Sequence, residues 1–161
     1  MSQTTAPQIN MDRGFAGAFA DSHNPKDVAT GKAVKEAMPL GRLAVIDAAN
    51  GDGAVMLPTA TGDITNLTRG VVAHSHALES SASGDPQWPQ NSAVPVLTKG
   101  RIYVEVEDAV AEGGEVFARH TADFGKFRSD VDGGNATLVP GAVFRSSTTG
   151  AGLAVVEFNQ P

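Results

Sequence analysis

The chain contains no cysteine among its 161 residues. Disulfides, thiolate metal sites and cysteine nucleophiles are thereby excluded. The absence also favours assembly in a reducing cytoplasm, since small secreted domains so often use disulfides. No apolar run approaches the roughly 18 residues needed to span a bilayer. The opening MSQTTAPQINMDRGF has no basic stretch leading into an apolar one, so a secretory signal is not expected. Positive charge is in short supply, 12 Lys and Arg against 18 Asp and Glu, for a net charge of −6. That balance argues against nucleic acid as the main partner, because phosphate binding needs a basic patch. It argues equally against an anionic membrane surface. There is no G-x-x-x-x-G-K-[ST], no G-x-G-x-x-G and no G-x-S-x-G, and no segment repeats.

What the chain has is turn chemistry. Eighteen glycines and nine prolines favour many turns over long helices. Residues 96–117 carry the strongest local signal. Ile102, Val104 and Val106 alternate with Arg101, Tyr103, Glu105 and Glu107, the period of a strand with one apolar face. Lys99-Gly100 reads as a tight turn before this strand, and Glu112-Gly113-Gly114 as another after it. Strands are expected at 42–47, 54–57, 64–73, 94–98, 101–107, 115–119, 124–129, 142–145 and 153–158. Many short strands with frequent turns make an all-β fold, a jelly-roll-like barrel or a β-sandwich.

Two regions are expected. Residues 40–161 hold the β domain. Residues 1–39 are polar, small and broken by glycine and proline, and read as an extended N-terminal arm whose four basic and four acidic residues cancel. Within the arm, Asn24-Pro25-Lys26-Asp27 fits a helix start, which predicts a short helix over 25–38. Gly31 opposes it by about 1 kcal/mol.

Few residues stand out as sites. Phe15 and Phe19 lie four apart among small residues, in Gly14-Phe15-Ala16-Gly17-Ala18-Phe19-Ala20. They are either a tether packed on the chain's own domain or anchors for another chain. Burial of one such ring contributes roughly 1.5–3 kcal/mol. The only tryptophan, Trp88, lies in the long 75–95 segment between Pro86 and Pro89, and is a second candidate interface residue. His74 and His76 would share a strand face, but a metal site needs a third ligand such as His120. Asp130-x-Asp132-Gly133-Gly134-Asn135 lacks the spacing and distal glutamate of a calcium loop and reads as a turn. Glu105, Glu107 and Asp108 cluster on a wet strand face, where carboxylates are ordinarily solvated rather than catalytic. No cofactor, metal or catalytic residue is expected. A metal enzyme around His74, His76 and His120 and a β-rich receptor- or glycan-binding module using Trp88 are the competing readings.

The ordered pieces resemble a known family. They are residues 14–22 (GFAG…ADS), Pro39-Leu40-Gly41, Val55-Met56-Leu57-Pro58-Thr59 and Arg69-Gly70-Val71-Val72 with His74-Ser75-His76. After these come residues 96–104, residues 110–117, Pro140-Gly141-Ala142 and residues 152–157. Together they resemble the structural cement, or capsid decoration, proteins of tailed bacteriophages. The resemblance implies a β-barrel with an N-terminal arm, placed on the outer surface of the virion capsid. It implies a role in bridging major capsid protein subunits of an HK97-like shell. It also implies self-association as a homodimer or trimer, synthesis in the bacterial host cytoplasm and no catalytic residues. On this reading Phe15 and Phe19 are the arm's capsid-facing anchors.

Overall fold

The computed structural model describes residues 14–20, 26–75 and 79–160. Strands dominate it. In chain order they are β1 (Asp27–Lys32), β2 (Met38–Pro39), β3 (Leu43–Ile46), β4 (Val55–Met56), β5 (Thr68–Val72), β6 (Glu79–Ser80), β7 (Pro86–Trp88), β8 (Ala93–Val106), β9 (Glu115–Arg119), β10 (Phe127–Arg128), β11 (Ala136–Phe144) and β12 (Gly152–Asn159). One α-helix, α1 (Thr61–Leu67), interrupts them.

Strand β8 organises the fold because its two halves belong to different rings. The second half pairs with β12, and the neighbours run on through β11, β9 and β10. Phe127 of β10 then pairs back with Val106 of β8, which closes a five-strand barrel. The first half pairs with β5 on one side and β1 on the other. From β5 the path continues to β3 and β4. A bridge from Lys32 to Ala54 returns to β1 and closes a second, smaller ring. Closure removes most of the unpaired edges that an open sheet would expose. The short strands β2, β7 and β6 form a separate sheet.

Each ring has its own core. The barrel buries Ile102, Val104, Val106, Val116, Phe127, Phe144, Val156 and Phe158, with Leu43, Val71 and Leu97 joining from the strands of the other ring and Ile64 from α1. The smaller ring buries Ala33, Met38, Ala44, Val55, Val72, Val94, Val96 and Trp88. Along β8 the residues facing the barrel core therefore change from odd (Leu97) to even (Ile102). A regular strand has period two and cannot do this. The switch falls between these two residues, where the pairing with β1 skips Thr98 and Gly100 takes a φ of +124°, a conformation that favours glycine.

That observation corrects one expectation. Lys99-Gly100 is not a turn between two strands. It is an irregularity inside one 14-residue strand. Three further expectations change. The helix predicted over 25–38 does not form in the described residues 26–38. Asp27–Lys32 is a strand antiparallel to β8, and Ala33 and Met38 are fully buried in the smaller core. Residues 26–39 are thus part of the folded unit. Gly31 is needed there, because a Cβ at this position would sit 2.7 Å from the Val55 side chain. The 64–73 segment divides into the end of α1 and β5. The helix starts where Asp63 Oδ2 accepts the backbone amides of Thr59 (2.8 Å) and Ala60 (3.0 Å), which is half of a capping box. Finally, the described part of the 75–95 segment holds β6 and β7 rather than a bare loop.

Candidate interaction surface

Residues 14–20 form a clip along the edge of β8. Gly17 N donates to Tyr103 O (2.8 Å), Tyr103 N donates to Ala18 O (2.9 Å), and Ala20 N donates to Arg101 O (3.0 Å). On the other side His74 N donates to Gly17 O at 2.8 Å. The sequence permits this docking through its glycines. A Cβ on Gly14 would lie 2.5 Å from the Tyr103 ring. Gly17 turns with φ +84°. The clip separates the two phenylalanines. Phe19 bridges to Ile102 and packs against the barrel core, with Lys26 Nζ 4.6 Å from its ring centroid. Phe15 points outward and is 50% exposed. Its ring meets the His74 ring edge-on at a centroid distance of 4.8 Å. Phe19 therefore behaves as a tether to its own domain, and Phe15 alone of the pair offers an accessible ring. Residues 1–13 and 21–25 of the expected arm lie outside the described residues.

Trp88 does not form part of the exterior. It is 4% exposed, packed in the smaller core, and its indole Nε1 donates to Ala73 O at 3.0 Å. A buried indole with its one donor satisfied has nothing left to offer a partner. The sequence placed it correctly in the 75–95 segment but missed that β7 turns it inward against Met38.

Phe15 lines a recess of about 550 Å³ at the seam between the rings. Arg42, Asp85, Glu105, Asp123 and Lys126 share its walls. Arg42 Nη1 donates to the carbonyl oxygens of Asp123 (3.0 Å) and Phe124 (3.1 Å). Burial pulls the Arg42 guanidinium below its ordinary pKa, and the nearby carboxylates of Asp123 and Glu105 oppose that shift. Lys126 Nζ lies 3.4 Å from Asp123. Asp85 accepts Ser83 Oγ at 2.8 Å. Glu105, facing outward on β8 opposite Leu153 of β12, is exposed.

The remaining acidic clusters are held by arginine. Arg119 pairs with Glu107 (2.5 Å) and Asp132 (2.6 Å). Arg128 pairs with Glu107 (3.3 Å), Asp130 (2.8 Å) and Asp132 (3.5 Å). Asp108 accepts Ser129 N and Oγ at 3.0 and 2.6 Å. Asp130 lies below the usual carboxylate range because it accepts a hydrogen bond from Arg128. These residues lock the exterior of the barrel. The 130–135 segment is a short 3-10 turn in this network. Among the described residues no group of three His, Asp or Glu is disposed to hold a metal ion. His120 is buried, with its ring nitrogens 3.3 Å from the hydroxyls of Thr61 and Thr121. His76 lies outside the described residues. A further carboxylate, Glu157, is held by Arg145 (3.0 Å) and Arg101 (2.7 Å). Those two hydrogen-bonding cations, Arg145 first, keep its pKa below the ordinary value.

Comparison with known proteins gives this surface its context. No curated protein matches the chain. Among solved structures, a chain from the capsid of Myoviridae phage XM1 has the same fold, with a TM-score of 0.67. It is 20% identical, and the alignment covers 99% of this chain and 98% of that one. The sequence model of the structural cement proteins, described by E217 gp24 and Pam3 gp6, matches residues 2–159. This chain belongs to the structural cement protein family.

Proposed function

We propose that this protein is a non-enzymatic decoration protein that binds the outer surface of an assembled phage head. There it bridges neighbouring major capsid subunits of an HK97-like shell and so stabilises it. The observation that carries the reading is the family match over residues 2–159. The geometry agrees with it. The described carboxylate clusters of the barrel are spent on internal arginine pairs, while an aromatic ring is displayed on a backbone fixed to β8. A ligand that binds only the assembled shell stabilises that state by mass action, and many copies compensate for modest affinity at each contact. We place it on the virion as a homodimer or trimer, made in the host cytoplasm. Phe15 is the foremost capsid-facing residue. Phe19 contributes by holding the clip that presents it.

The test is co-sedimentation with heads that lack this chain, beside free major capsid protein. Selective occupancy of heads is expected. Equal binding to free subunits, or none to heads, would defeat the proposal. The glycan-module reading drew on Trp88 together with the long 75–95 loop, and the burial of Trp88 takes away its aromatic platform.

A further inference from the structure

The recess at the seam carries an unbalanced charge. Asp85, Glu105 and Asp123 outnumber Arg42 and Lys126 by one, three carboxylates against two cations. Lys126 is engaged by Asp123, and Arg42 Nη1 is spent on two carbonyls. Asp85 and Glu105 make no contact ion pair among the described residues and feel Arg42 only at longer range. Elsewhere on the barrel, Glu107, Asp108, Asp130, Asp132 and Glu157 all have arginine partners within 4.0 Å. Glu112 and Glu115 also lack a contact ion pair among the described residues, but the seam sets its unpaired carboxylates in one recess with an exposed aromatic ring.

We infer that this recess receives a cationic side chain, arginine by preference, from a neighbouring capsid protein, with its charge on Glu105 and Asp85 and its flat face against Phe15. The inference rests on the proposed capsid role and assigns the recognition within it. A guanidinium suits this combination because it stacks on an aromatic face while its edge donates to carboxylates. Lysine would satisfy the charge but not the plane. The recess is held in shape before any partner arrives. The clip fixes Phe15, β8 fixes Glu105, and Ser81 Oγ accepts Asp85 N at 3.0 Å. Preorganisation of this kind lowers the entropic cost of binding.

The experiment measures occupancy of heads lacking this chain by full-length wild type, Glu105→Lys, Asp85→Lys, Phe15→Ala and a control, Glu112→Lys, in a different turn. Circular dichroism and melting temperature confirm that each variant is folded. Glu105→Lys and Asp85→Lys are expected to weaken binding by about tenfold or more, chiefly at low salt. Phe15→Ala is expected to weaken it by about three- to tenfold at all salt concentrations. The control should match wild type. Folded Glu105→Lys and Asp85→Lys that occupy heads as well as wild type, or better, overturn the recess assignment and leave the capsid role standing. Wild type that leaves heads empty overturns the capsid role itself.

Discussion

The two rings that share β8 are built from different materials. The barrel closes around Phe127, Phe144 and Phe158, and its exterior is clasped by Arg119 and Arg128. Among the described residues the smaller ring closes through the Lys32–Ala54 bridge around alanine, valine, leucine, methionine and one tryptophan. The barrel has the larger side chains and the denser polar clasp. The smaller ring is thinner and draws on residues near the N-terminus that look nothing like a core in sequence. Where the two meet, Asp85 and Glu105, neither in an ion pair among the described residues, share a recess with the exposed Phe15 ring. A recess held in place by backbone bonds at its edge suits the proposed role of contact with a capsid.

The contrast can be broken by substitution. Phe127→Ala strikes the barrel core and its contact with Phe158 (centroids 6.4 Å apart). It should cost about 3–5 kcal/mol, read by chemical denaturation. Trp88→Ala empties the smaller core and should cost about 3 kcal/mol, the low end of the range, because flexible Met38 can settle into part of the space. Both variants should lower one shared transition, since β8 runs through both rings. Separate transitions would show that the rings are independent units.

Phe19→Ala should cost about 1–2 kcal/mol, because its ring is only partly buried. Removal of residues 1–22 should likewise lower the melting temperature, since it deletes the clip's backbone bonds to β8. A truncated protein that melts like wild type would show the clip to be dispensable. Glu157 gives a pH signature. Its folded pKa is depressed by Arg145 and Arg101, so its contribution is present above the unfolded carboxylate value near 4.3 and is lost as pH falls through the folded value. Glu157→Gln should therefore flatten the stability profile between about pH 6 and pH 3, by up to about 1 kcal/mol for this partly exposed group. An unchanged profile would assign the acid sensitivity elsewhere. Phe15→Ala should change stability least, by about 0.5 kcal/mol or less, while lowering head occupancy. A large stability loss would make Phe15 a structural residue.

How much of this was legible follows from where each signal lives. β12 and β9 are short apolar runs bounded by turn residues, and the structure places them where those runs stand. Local chemistry misled at Asp27–Lys32, where a good helix start lost to hydrogen bonds that β8 offers along its edge. It also misled at Gly100, because glycine after lysine serves a hairpin and a strand irregularity equally well. α1 was hidden by low-propensity Thr, Gly and Asn, and by an Ala60-x-x-Asp63 start that lacks the capping hydroxyl of a capping box. For the candidate surface, the sequence singled out both phenylalanines and Trp88, could not rank the two phenylalanines, and read Glu105 only as a solvated carboxylate. Exposure depends on which face the docked clip turns outward.

By itself, the sequence determined an all-β protein without thiol or motif-borne catalysis, carrying an acidic surface and a cement-family pattern, because composition, period and turn residues are local properties. Only the tertiary structure decided that one strand would serve two rings, that Trp88 would be sealed inside and Phe15 left outside, and that Glu105 and Asp85 would line one recess with it. Those outcomes depend on long-range pairing along β8, which joins residues far apart in the chain and leaves no mark in the order of neighbours.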